Sequence, residues 1–197
     1  MATAIDRVGY GQVEPNHLSA QKTGQIYAQL PAMSDATTAI THLEQGQFLK
    51  YNYAAGRASL DGDGEWMLVY CEEKLYDPRR QMHKDFCLEV APTRNINAVP
   101  VTAQGFGEQG YIYPRLLKTN IGDIYTTNTF AGPAAGPDAA VTGLSLTAGT
   151  DYLEVDSTTG YLKKATSLAA GTAPVFQVVK EYNMPDGQPG VKIMRVK

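Results

Sequence analysis

From residue 47 onward, short apolar runs alternate with turn residues. Gln47-Phe48-Leu49-Lys50-Tyr51-Asn52-Tyr53 alternates well enough for a strand and stops at Ala54-Ala55-Gly56. The turn Asp61-Gly62-Asp63-Gly64 leads into Glu65-Trp66-Met67-Leu68-Val69-Tyr70-Cys71, a second strand. Phe86-Cys87-Leu88-Glu89-Val90 is a third, stopped by Pro92. Residues 111–117 form a strand whose proline, Pro114, suits a sheet edge. Residues 121–130 supply a turn and a further strand, and 151–156 and 161–164 add two more.

The last stretch is the clearest. A β-branched and aromatic run at 175–179, turn chemistry at 183–190 and the alternation of 191–196 predict a β-hairpin. Val191, Ile193 and Arg195 share one face, and Lys192, Met194 and Val196 the other. Strands this short, with a turn about every 8 to 12 residues, predict an all-β barrel- or sandwich-like body.

Residues 1–38 lack that grammar and predict an extended arm. Leu18, Ile26, Tyr27 and Leu30 are its isolated apolar anchors, and they need a surface to lie on, either the chain's own body or a neighbouring subunit. A short helix is expected over 36–43, capped by Ser34 or Asp35. Beyond it the expected organisation is one β lobe over 39–130, a Gly/Pro/Ala-rich linker over 131–143 and a second lobe over 144–197. A faint echo suggests that the lobes are related. Leu43-Glu44-Gln45-Gly46, then 48–52 and Gly56, resembles Leu146-Thr147-Ala148-Gly149, then 152–156 and Gly160. Leu68 onward would answer Phe176 onward.

Composition narrows the function classes. The net charge is −3 and no Lys/Arg cluster is dense enough to neutralise many phosphates, so nucleic acid is not an expected partner. The first twenty residues hold no apolar signal core and no run reaches membrane-spanning length, which predicts a soluble chain made in the cytosol with no membrane partner. Two cysteines, Cys71 and Cys87, are too few for a disulfide scaffold and are expected as free thiols.

Candidate chemistry is thin. His83-x-x-x-Cys87 with Cys71 lacks a fourth ligand and the close Cys or His pair of a zinc site. Asp61-Gly62-Asp63-Gly64-Glu65 begins like a calcium loop but lacks the closing bidentate glutamate, so a hairpin turn explains it better. His17, His42 and His83 sit beside no nucleophile motif, and Gly105-Phe106-Gly107-Glu108-Gln109-Gly110 precedes a strand where a phosphate loop precedes a helix. No catalytic residue, metal or cofactor is expected. The densest charged segment, 72–85, reads as a solvated loop, or as an interface in which Arg79, Arg80 and Lys84 pair with a partner's carboxylates.

Several phrases resemble capsid accessory proteins of tailed bacteriophages, the decoration or cement proteins of the icosahedral head. They are Val13-Glu14-Pro15-Asn16-His17-Leu18-Ser19-Ala20-Gln21, Leu43-Glu44-Gln45-Gly46-Gln47-Phe48, Arg115-Leu116-Leu117-Lys118-Thr119-Asn120-Ile121-Gly122-Asp123-Ile124-Tyr125-Thr126-Thr127-Asn128 and Met184-Pro185-Asp186-Gly187-Gln188-Pro189-Gly190-Val191-Lys192. The resemblance implies a non-enzymatic virion protein, made in the host bacterial cytoplasm and placed on the capsid exterior. It would bridge neighbouring major capsid protein subunits, as a homo-oligomer or in many copies per particle. Two rivals remain. One is a carbohydrate-binding or head-fibre-base module stacking sugars on Tyr51, Tyr53, Trp66, Tyr111 and Tyr113. The other is a shallow hydrolytic site on the acidic turns.

Overall fold

A computed structural model describes residues 3–5, 13–17, 28–29, 40, 42–70, 75–77, 82–84, 87–89, 98–99, 114–130, 144–165, 168, 173–184 and 189–197. In chain order the strands are β1 (Thr3–Ile5), β2 (Val13–His17), β3 (Ala28–Gln29), β4 (His42–Glu44), β5 (Phe48–Asn52), β6 (Arg57–Ser59), β7 (Trp66–Val69), β8 (Leu75–Asp77) and β9 (Met82–Lys84). They continue as β10 (Cys87–Glu89), β11 (Ala98–Val99), β12 (Arg115–Leu117), β13 (Ile124–Thr127), β14 (Leu144–Leu146), β15 (Tyr152–Val155), β16 (Leu162–Lys164), β17 (Val175–Asn183) and β18 (Pro189–Arg195). The described residues are all-β, as the short alternating runs predict.

Two antiparallel sheets carry the body. One has the order β3-β12-β7-β5-β6, and the other β2-β13-β18-β17-β15-β16. With β2 set aside, the orders match strand for strand, and matching strands follow one another in the same chain order. The detail repeats as well. Gly46 N–H donates to the Val69 carbonyl (2.9 Å) and Val69 N–H to the Gln47 carbonyl (2.8 Å). Gly149 N–H donates to Val178 (2.7 Å), and Val178 N–H to Asp151 (2.9 Å). The Gln47 side-chain oxygen accepts from Glu44 N–H (2.8 Å), and the Asp151 carboxylate from Thr147 N–H (2.7 Å). Lys50, Tyr51 and Asn52 face Ser59, Ala58 and Arg57, while Glu154 and Val155 face Lys163 and Leu162. Both hairpin tips close on a glycine in the left-handed region, Gly56 at φ 63° and Gly160 at φ 74°.

The chain is therefore a tandem structural repeat, 28–117 followed by 124–195. The sequence echo located the paired hairpins correctly but matched the return strand one residue out of step. Val69 answers Val178, so Leu68 answers Gln177 and Phe176 answers Met67. Leu68 and Phe176 both enter the shared core and so look equivalent by apolar character, but the strand pairing sets them one residue apart, on opposite faces of their matched strands. The repeat changes over between Leu117 and Ile124, and the expected linker over 131–143 lies outside the described residues.

The sheets share one core. Phe48, Trp66, Leu68 and Leu117 of the first repeat cluster with Tyr125, Leu153, Val155, Phe176, Val178 and Ile193 of the second. The Phe48 and Phe176 rings lie 5.6 Å apart, and Tyr125 meets Phe176 edge-on at 6.4 Å. Alternation along β18 buries Val191 and Ile193 and leaves Lys192 and Met194 half-buried, as predicted. A register shift between Val178 and Lys180 leaves Val179 exposed on the outside of the hairpin.

Three expectations change. His42 and Leu43 of the expected helix belong to β4, which pairs with β10; tertiary pairing overrides the weak helical signal there. Pro114 does not mark an edge, since β12 lies between β3 and β7 and the buried proline precedes its first residue. The Asp61–Gly64 turn closes no hairpin. It joins β6 to β7, which flank β5 on opposite sides, and runs so close to β5 that a Cβ at Gly64 would overlap the Tyr51 carbonyl. Of the two surfaces open to the expected arm, the described parts of it take the chain's own body: β1 pairs with β14, β2 with β13 and β3 with β12, and Val13 is in the core.

Candidate interaction surface

The buried polar groups hold the repeats together. The hairpin tip of the second repeat seats on the turn that opens β5 of the first. Phe48 N–H donates to the Gly160 carbonyl (2.7 Å), Gln47 Nε2 to the Thr159 carbonyl (2.5 Å) and the Tyr161 hydroxyl to Glu44 Oε2 (3.1 Å). Thr129 Oγ1 donates to the Gln45 carbonyl (3.1 Å). Glu44, Gln45, Gln47 and Thr129 are all buried, and burial demands such partners.

The connection between repeats is tied in a second knot. The buried Asp123 carboxylate accepts from Asn120 N–H (2.7 Å) and the Tyr125 hydroxyl (3.0 Å). Burial, reinforced by that carboxylate, pushes the Tyr125 hydroxyl well above its ordinary pKa, so it stays protonated and donates. Arg195 binds the Thr119 carbonyl and hydroxyl, the latter at 2.9 Å. These groups spend their hydrogen-bonding capacity inside the fold and serve as scaffold.

The first repeat's hairpin tip is different. Asn52 Oδ1 accepts from Ala55 N–H (2.9 Å), as Asp156 Oδ2 accepts from the Thr159 hydroxyl (2.9 Å), yet residues 53–56 are exposed. Tyr53 is 58% exposed, with its ring edge-on to Tyr51 at 5.1 Å. Beside this tip, Lys50 Nζ donates to the Gly62 carbonyl (2.9 Å) and stands 5.1 Å over the Trp66 ring. Trp66 itself is 6% exposed and part of the core, so among the described aromatic candidates, Tyr51, Tyr53 and Trp66, it is Tyr53 whose ring is exposed, while Tyr111 and Tyr113 lie outside the described residues. Asp61 and Asp63 are exposed, and Asp61 stands 4.0 Å from the Arg57 guanidinium. Among the described residues no group of three His, Cys, Asp or Glu side chains converges as a metal site.

On the second repeat, a hydrogen bond from Lys164 (2.9 Å) holds the Asp151 carboxyl below the usual carboxylate range. Burial works to raise Asp156, but the Thr159 hydroxyl and the Lys163 ammonium (3.3 Å) outweigh it and leave Asp156 below that range too.

Of the candidate partner-binding residues, Leu18, Ile26, Tyr27, Leu30, Arg79 and Arg80 lie outside the described residues. Lys84 ends β9, opposite Leu75. His17, His42 and His83 fall on three separate strands, β2, β4 and β9, and Cys87 on β10. The Tyr161–Glu44 bond was illegible in the sequence, since its partners are 117 residues apart. Asn52 and Asp156 were findable, as Asx residues each placed four before a turn glycine. Comparison with protein-family models, with curated proteins and with solved structures returned no match, so the site rests on this chain's own residues and geometry.

Proposed function

We propose that this chain is a capsid decoration protein of a tailed bacteriophage, binding the outer surface of the assembled head and bridging major capsid protein subunits. The observation that carries the reading is the division of labour in the fold. Buried polar groups lock two repeats into one body, while an exposed aromatic tip on the first repeat is left as contact surface. Adhesion needs a rigid scaffold and presented area, and needs no tuned catalytic group. The phrases resembling phage head proteins run through the scaffold, from Val13 to Lys192. Many copies, each touching more than one subunit, gain through effective concentration what one small contact lacks.

The direct test adds purified protein to phage heads lacking it and counts the copies that sediment with the heads. Hundreds of copies per head are expected; a dozen or fewer would favour a vertex or fibre component, and none would end the proposal. Deleting residues 1–34 is a poor test because it removes Val13 from the core along with three paired strands. The glycan-binding alternative rests on the exposed Tyr53 ring. A glycan array would show selective binding lost in Tyr53→Ala if that reading were correct.

A further inference from the structure

The hairpin of the second repeat runs on past the part that has a match in the first. The described pairing of β7 with β12 covers Leu68 and Val69, whereas β17 and β18 stay paired out to Asn183 and Pro189. In this extension the register shift after Val178 sets Lys180 directly opposite Lys192. Tyr182, two residues along, shares their outward face, and Lys192 Nζ stands 5.6 Å over its ring. Glu181 pairs with the buried Val191 and so lies on the other face. Val179, Lys180 and Tyr182 are exposed, and Lys192 is half-buried.

Like charges directly opposite one another on a sheet repel. Other described lysines have partners: Lys118 meets Glu65 at 2.9 Å, Lys163 meets Asp156 at 3.3 Å, Lys164 meets Asp151 at 2.9 Å and Lys50 donates to the Gly62 carbonyl. Among the described residues neither Lys180 nor Lys192 has a carboxylate partner. Their repulsion is relieved when carboxylates from outside the chain lie across both.

The first repeat presents the opposite charge. Asp61 and Asp63 are exposed on the turn from β6 to β7, and Arg57 comes no closer to Asp61 than 4.0 Å. That turn is pinned: Ser59 Oγ donates to the Asp61 carbonyl (2.5 Å) and Lys50 Nζ to the Gly62 carbonyl (2.9 Å), so its carboxylates are held in place before any contact forms. Tyr53, with its exposed ring, sits on the tip that Arg57 closes. A basic face carrying Tyr182 therefore matches an acidic turn beside Tyr53, and the two lie on different sheets of the chain. Two lysines on a chain of net charge −3 counter few phosphates, so an extended polyanion fits this face poorly.

We propose that the Lys180/Lys192 face of one copy seats on the Asp61/Asp63 turn of a second copy, joining copies head to tail. The contact uses different patches on its two sides, so it either closes into a ring or runs on as a chain. It does not rest on the decoration reading.

The test is sedimentation of the full chain over a concentration series reaching about 1 mM, at low and high salt. Wild type is expected to self-associate with concentration, and less so at high salt. Lys180→Glu/Lys192→Glu and Asp61→Lys/Asp63→Lys each set like charges face to face and should weaken association about tenfold or more. Combining all four changes returns the net charge to that of wild type and swaps both patches, so association should recover. Circular dichroism checks that each variant folds. If the fourfold variant does not, Lys180→Glu/Asp63→Lys, compared with its two single changes, carries the same exchange. A wild type that stays monomeric throughout, or a swapped variant that associates no better than its halves, would overturn the proposal.

Discussion

Tyr161 donates its hydroxyl to the Glu44 carboxylate across 3.1 Å, between two buried residues on different repeats. Tyr161 follows the docked tip of the second repeat and Glu44 ends β4 of the first, so the bond reports how the repeats sit together. Tyr161→Phe keeps the ring and removes a donor to a buried carboxylate. A loss of about 1–3 kcal/mol is expected in urea unfolding, with the cooperativity of the transition unchanged.

The duplicated glycines make a paired experiment. Gly56 and Gly160 hold the same place and the same left-handed backbone, but a Cβ at Gly56 meets open space while one at Gly160 would overlap the Phe48 carbonyl. Gly56→Ala should cost only the backbone term, about 1–2 kcal/mol. Gly160→Ala should cost clearly more, because the tip must lift off Phe48. Equal melting-temperature shifts would contradict the docking.

Phe176 touches both repeats through Phe48 and Tyr125. Phe176→Ala should therefore destabilise the whole body by about 3–5 kcal/mol and leave one unfolding transition. Two separate transitions by calorimetry would mean that the repeats fold independently.

The Asp151 and Asp156 carboxyls lie below the usual carboxylate value when folded. Their contribution is complete above that usual value, near pH 4, and drains away as pH falls through the depressed folded values. Asp156→Asn should thus lower stability at neutral pH by a few tenths to about 1 kcal/mol, for a partly exposed pair. It should also flatten the acid limb below about pH 4. An unchanged acid limb would place the sensitivity elsewhere.

Local signals in the sequence determined strand character, the turn positions and the C-terminal hairpin, because alternation and turn glycines act over a few residues. The inward face of β18 was legible for that reason, as was the echo between the two hairpins. Asn52 and Asp156 declare their turns in the same way. Only the tertiary structure decided that Val69 answers Val178, that Pro114 leads into an inner strand, and that Asp61–Gly64 passes from one side of β5 to the other. It also decided that Glu44 meets Tyr161. Pairing register and burial depend on partners distant in the chain, and a sheet is assembled from such partners, so no window of local residues contains that information.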